Sequence, residues 1–370
     1  MKNMKKMKKA DIASMSQWQL IALRFKRHRL AAVALLLIGG LYTLAVFADS
    51  FAVHTPYDKD VRYIYAPPML LKFSLDQGFY ADACIQKINP VTLKRYYQLS
   101  PNKYVPLGFF VTGYRYRLLG MIPTKIHFFG VRQEAEGGQK FLLFGGDKFG
   151  RDIFSRILLG TRISLSIGVM AIVISFVMGV GIGGLSGYFA GWTDTFIQRL
   201  IEVIDAFPKL PLWLALGAAL PRTWSNLQVY FGITLILSLV GWTGMARVVR
   251  GKILSLREED YALAARLMGA GHRRIIFLHL VPGFTSHIIV SLTMTVPGMI
   301  LGETSLSFLG LGLKPPTISW GVMLQDCMSM QVVKNYPWLL LPVLMIILTV
   351  LCFNFIGDGL RDAADPYNVR

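Results

Sequence analysis

Charged side chains are scarce in this chain, at 16% against 54% hydrophobic residues, and the mean hydropathy is +0.48. Soluble domains carry about 25% charged and roughly 45–50% apolar residues, so the balance excludes an ordinary water-soluble globule and implies a membrane protein. Acidic residues are scarcer still, 21 against 39 Lys and Arg, for a net charge of +18. Nucleic acid is not the partner this excess implies, because no basic face interleaved with stacking aromatics accompanies it. Much of the positive charge instead abuts apolar runs, as membrane topology requires.

Cysteine is also rare, with three in the chain and none in a metal-binding pair. The patterns His-Glu-x-x-His and Gly-x-Ser-x-Gly are missing as well, which leaves no basis for a metal centre or an enzyme acting alone. Two glycine-rich stretches imitate nucleotide sites. GVGIGG (Gly179 to Gly184) satisfies Gly-x-Gly-x-x-Gly, but it sits inside an apolar run with no strand before it. Continued to Gly187 and Gly191, it becomes a small-residue ladder at four-residue spacing, the pattern that lets membrane helices approach closely. GGDKFGRD (Gly145 to Asp152) ends in Arg-Asp where a phosphate loop needs Lys followed by Ser or Thr. The chain therefore holds no ATP site and no cofactor of its own.

What the chain does have is long apolar runs. A helix needs about 20 apolar residues to cross a hydrocarbon core of about 30 Å. Runs at Leu30 to Ala48, Ile163 to Tyr188, Leu210 to Leu220 with its upstream turns, Leu227 to Ala246 and Trp338 to Ile356 qualify, and a sixth, Phe284 to Leu301, is polar-spotted but long enough. The third is the weakest, since Pro208, Lys209 and Pro211 interrupt it, and it spans only if its helix begins near Phe196. The expected fold is an all-α polytopic membrane protein of six spans. Lys and Arg crowd the residues before the first span and recur at Arg247, Arg250, Lys252, Arg257, Arg266, Arg273 and Arg274. Both termini and the loop 247–282 are therefore expected in the cytoplasm.

The organisation expected is a cytoplasmic tail and interfacial helix at 1–29, a first span at 30–48, an extracytoplasmic domain at 49–162 and a permease core at 163–370. A cleaved signal peptide is not expected, since the flank before the first span is too long and the span too full-length. Trp18, Ile21, Ala22 and Phe25 repeat at helical spacing beside RFKRHR, as in a helix lying on the inner leaflet. The outer segment, with VRYIYA, LGFFVTGYRYRLLG, KIHFFGV and KFLLFGG punctuated by Pro, Gly and Asn, reads as a small β-rich domain. Cys84 and Cys327 both fall on the oxidising side by this topology, where a disulfide between them is the alternative to the favoured reading of two unpaired thiols; Cys352, inside the last span, is read as packing.

EEDYALAARLMGAGHRRIIFLHLVPG (residues 258 to 283) is charged, alanine-rich and helical in pattern, yet lies between two apolar runs. Ala262, Ala265 and Gly269 fall on one helical flank, a smooth strip for another surface, with Tyr261, Leu263 and Leu267 as larger contacts nearby. Gly269 to Gly271 should end the helix, a second short helix should run through HRRIIFLHL, and Pro282 should open the next span. Within the spans, Met299, Glu303 and Asp205 are the candidates to line a pathway, because an ionisable residue near lipid usually faces a cavity.

ALAARLMGAGHRRIIFLHLVP resembles the Glu-Ala-Ala-x3-Gly-x9-Ile-x-Leu-Pro signature of ABC importer permeases, with Ala264, Ala265, Gly269 and Pro282 in register. Leu263 replaces the Glu, His279 the Ile and Val281 the Leu. GGDKFGRDIFSRILLGTRISLSIG, LSFLGLGLKPPTISWGVML and FIGDGLRDAADP are similar to blocks of the second permease of oligopeptide and dipeptide importers, a group that includes nickel and glutathione transporters. Gly146 stands where that family usually has Thr. The resemblance implies the type I importer fold in a bacterial inner membrane. It also implies a loop that docks on an ATPase through Tyr261, Ala262, Leu263, Ala264, Ala265, Leu267, Gly269 and Ala270. The implied partners are a second permease subunit, two cytoplasmic ABC ATPases that bind ATP and Mg, and an external substrate-binding protein. A secondary transporter is the competing class, disfavoured by the absence of a second hydropathy-matched half and by the few intramembrane acids.

Overall fold

The computed structural model describes residues 16–91, 95–132 and 139–365. The basic tail expected at residues 1–12 lies outside them, as does Pro366. Helix α1 (Gln17–Arg27) opens on a capping box in which Ser16 and Gln19 satisfy each other's backbone N–H groups. It leaves Trp18 exposed but buries Phe25 beside Gly359, near the C-terminal end of the chain. After a break at His28 the chain enters α2 (Arg29–Val46), followed by the one-turn α3 (Ala48–Phe51).

Among the described residues, five helices are long and apolar enough to cross a membrane: α2, α4 (Ile153–Phe189), α7 (Asn226–Leu256), α9 (His272–Phe308) and, after the short α11 (Met330–Asn335), α12 (Pro337–Ala364). The expected span at Leu210 to Leu220 is not one helix. Pro208 has no N–H to donate and disfavours helical geometry in the residue before it, and the run divides into α5 (Gly191–Asp205) and α6 (Lys209–Ala218).

Two boundaries differ from the sequence reading. Helix α4 starts at Ile153, ten residues before the apolar run, because Asp152 caps it by accepting from the N–H groups of Phe154 and Ser155, both at 3.1 Å. Its 37 residues make a rod of about 55 Å, too long for the apolar layer alone. Arg162, nine residues into it, pairs with Asp49 at 2.9 Å and donates to Ala45 O at 2.9 Å, so this turn of α4 is level with the end of α2. Pro282 likewise does not open a span. Helix α9 runs through it from His272, and a π-type stretch at Ile275–Leu280 followed by a 3₁₀ turn at Val281–Phe284 accommodates its missing donor.

Helices α4 and α7 meet along the glycine ladder. A Cβ on Gly183 would stand 2.4 Å from Ala246 O, one on Gly187 2.8 Å from Arg250 O, and one on Gly179 2.5 Å from Met245 Cγ. The two backbones are in contact there. Gly191, the expected fourth rung, is not part of this seam; it has open space around it and φ of +57°, and it begins α5.

Between α2 and α4 the chain builds one antiparallel sheet in the order β1 (Lys72–Ser74), β2 (Gly78–Ile88), β3 (Arg95–Leu118), β4 (Ile122–Val131). Val53, Tyr63, Met69, Val105, Leu107, Phe141 and Leu142 form its core. Beneath it, burial lowers the His54 imidazole to about 4, so it is neutral at pH 7, and its Nε2 meets the Phe141 backbone. Cys84, Cys327 and Cys352 are all free, and burial pushes the Cys84 thiol up to about 11.

Gly183→Val should separate α4 from α7 at a cost of about 1–3 kcal/mol. A thermal-unfolding scan in detergent should show it, with Gly181→Val, which has nothing within 4 Å, nearly unaffected.

Candidate functional site: the loop between α7 and α9

Helix α8 (Asp260–Leu267) carries the loop. It ends in a Schellman turn: Ala270 N donates to Ala265 O at 3.1 Å and Gly269 N to Arg266 O at 3.0 Å, with Gly269 at φ +80°. Glycine is needed there because an L side chain would be strained at that φ, not because anything crowds it.

The expected strip of small residues is divided by the fold. Ala262 and Ala265 turn inward and are buried against Val249, Ile253, Ile276 and Phe284. They do not offer a free surface, because α8 must bury one face to stay attached. What points outward is Tyr261, Leu263, Ala264, Leu267 and Gly269, joined by Met268. Leu267 and Met268, adjacent at the end of the helix, are 89% and 82% exposed. Ala270 is half-buried at the turn. Beside the helix lies a cleft of about 270 Å³ lined by Tyr188, Arg257, Leu263, Arg266 and His272.

Two ion pairs fasten this loop's supporting helix to the rest. Arg250 on α7 holds Asp194 on α5 through two bonds of 2.5 Å, and Ser186 at the end of α4 donates to the same carboxylate. Further along, Arg247 pairs with Asp205 at 2.5 Å, and Thr243 Oγ1 donates to Asp205 Oδ1 at 3.0 Å. The sequence reading took these arginines only as topology charges. Nothing in their spacing named Asp194 as a partner, since the bond crosses between helices.

The three expected pathway residues are each engaged within the chain. Asp205 is in the pair just described. Met299 is buried, its terminal carbon filling the notch left by Gly241. Glu303 is wholly buried, and its Oε1 accepts from Ser307 Oγ and Ser319 Oγ, both at 2.8 Å. Ser307 Oγ in turn accepts from Leu313 N and Ser319 Oγ from Val322 N, so one carboxylate oxygen organises the turn from α9 into α10 (Trp320–Leu324). Serines four and sixteen residues on supply one oxygen of this acid with donors, while its Oε2 is buried without a hydrogen-bond partner.

Residues 179–368 match the family described as the binding-protein-dependent transport system inner membrane component. Residues 16–68 match the N-terminal transmembrane domain of oligopeptide transport permease C. The chain belongs to this permease family. It is 33% identical to the oligopeptide transport system permease protein OppC of Bacillus subtilis over 95% of this chain and 90% of that protein. It is 42% identical to the glutathione transport system permease protein GsiD of Pectobacterium atrosepticum over 62% of this chain and 74% of the relative. The dipeptide transport system permease protein DppC of Bacillus subtilis is also 42% identical, over 60% of this chain and 68% of its own length. The permease is thus a multi-pass inner-membrane protein, and the alanine-rich loop falls within the matched region.

Removing the Glu303 carboxylate leaves two buried hydroxyls without their acceptor, at about 1–3 kcal/mol. Glu303→Ala should therefore lower thermal stability clearly, while Glu303→Gln, which keeps an acceptor oxygen, should lose much less in the same detergent scan.

Proposed function

We propose that this chain is one of two permease subunits in an ATP-driven peptide importer, the second permease of a heterodimer, and that α8 docks on a cytoplasmic ATPase. The observation that carries the docking is the pair Leu267 and Met268, apolar and bare at the tip of a loop whose other face is firmly packed. A permease without a nucleotide site needs its energy delivered by contact. Two ATPase subunits bind ATP and Mg, and their closure pulls the α8 loops of both permeases together. Because Arg250–Asp194 and Arg247–Asp205 tie α7 to α5, the pull reaches the spans as a body motion, turning the pathway outward until hydrolysis resets it. An external binding protein delivers the solute. The names of the oligopeptide and dipeptide relatives support peptides as that solute; the equally similar glutathione permease supports a second reading, a small thiol peptide.

In this reading α6, extended by the end of α5, completes a sixth crossing. The termini and α8 are cytoplasmic, and the sheet faces outward. A cysteine at exposed Thr112 should then be labelled by an impermeant maleimide in intact cells and one at exposed Gly251 should not. Labelling of Gly251→Cys alone would reverse the orientation.

Burying a leucine or methionine contributes about 1.5–3 kcal/mol, and each 1.4 kcal/mol is tenfold in affinity. Leu267→Asp with Met268→Asp should weaken ATPase association at least tenfold and abolish hydrolysis stimulated by loaded binding protein, with membrane insertion unchanged. Gly269 is the poorer probe, since any side chain there strains the turn whether or not a partner docks.

A further inference from the structure

The distal end of the β3–β4 hairpin is apolar where a soluble hairpin would be polar. Along β4, Ile122, Ile126 and Phe128 alternate onto one face and are exposed. Phe110 joins them, its ring 5.6 Å from that of Phe128. The tip is Leu118-Leu119-Gly120-Met121-Ile122, with Met121 76% exposed. Leu119 holds φ of +54°, a conformation costly for a large side chain and ordinarily given to Gly or Asn. An apolar group is kept at the apex although the backbone disfavours it. Behind the tip stand exposed Arg115, Arg117 and Lys125 with Tyr114 and Tyr116, and no Asp or Glu occurs anywhere from Phe110 to Val131.

The direction of the hairpin can be read from its neighbours. Phe128 packs on Phe51 with ring centroids 5.0 Å apart, and a Cβ on Gly130 would stand 3.9 Å from Val53. Going down β4 therefore follows the chain back from Val53 towards the end of α2. Tyr114 is within electrostatic reach of Asp49 and Arg162, the pair that marks the outer end of that span. From there the strand continues to Leu118 and the tip, about 13 Å further at 3.3 Å per residue.

We propose that the β3–β4 hairpin dips its apolar tip into the outer leaflet, with Arg115, Arg117 and Lys125 on anionic headgroups and the tyrosines at the interface. Tyrosine and basic residues around an apolar end are the composition of interfacial anchors. The tip stops at the boundary of the acyl region, because hairpin edge groups find no hydrogen-bond partners in hydrocarbon. The anchor holds the sheet at a set tilt beside the mouth of the permease. This inference rests on the outward placement proposed above.

The test uses the assembled transporter in nanodiscs of phosphatidylethanolamine and phosphatidylglycerol, with Cys84, Cys327 and Cys352 replaced by alanine. Spin labels are attached singly through Met121→Cys and Thr112→Cys. At Met121→Cys oxygen should relax the label more than an aqueous nickel chelate does; at Thr112→Cys the order should invert. A tip open to the nickel chelate lies in water, and a tip closed to both reagents lies under protein; either result overturns the proposal. Maleimide labelling of Thr112→Cys in intact cells separates the two failures. If it is labelled and the tip is not in lipid, the anchor is wrong while the topology stands; if it is unlabelled, the outward placement and the anchor fall together.

Discussion

The contact of backbone on backbone along Gly179, Gly183 and Gly187 is the constraint on which the rest of this permease depends. Inside a bilayer, lipid tails compete on equal terms with apolar side chains, so helices are held by close van der Waals approach and by polar bonds. The glycines remove the side chains that would keep α4 and α7 apart, and Ala246 and Arg250 present their backbones to the space. Once the two axes are close, Arg250 reaches Asp194 and Arg257 reaches the carbonyl of Tyr188 at 3.1 Å. Short helix α5 is captured in the same step.

This seam leads directly to the loop that follows. Helix α8 is brief and could not persist alone, since isolated helices shorter than about 12–15 residues are marginal in water. It persists because Ala262 and Ala265 are buried in one apolar cluster with Val249 and Ile253 of α7 and Ile276 of α9. Of the two alanines that carry the family resemblance, Ala265 holds the loop to its own chain, while Ala264 faces outward with the larger residues of the helix.

The opposite end is organised by polar groups under similar pressure. Asp147 accepts from the Phe149 and Arg151 backbones and pairs with Arg151 at 2.6 Å, closing the loop that resembled a phosphate site. Its glycines are needed because other backbone lies where their side chains would be, Asp60 O against Gly150 and Tyr63 O against Gly146. Glu303 does the same for the turn after α9. Two of the family blocks are therefore recognisable because buried backbone in an apolar setting must find partners, and few residues can supply them.

The membrane class, five long apolar helices, the β-rich segment between the first two and the packing use of the glycine ladder are legible in the sequence. Each is a local property, readable from composition, run length or four-residue spacing. Which face of α8 is free, that α9 continues through Pro282, and which contacts Glu303, Met299 and Asp205 make within the chain emerge from the packing. It also decided that Gly191 leaves the ladder and that Asp194 belongs to Arg250, a bond spanning 56 residues. The physical reason is common to all of these. A helical repeat tells which residues share a face, but whether that face is covered, and by what, depends on segments far away in sequence.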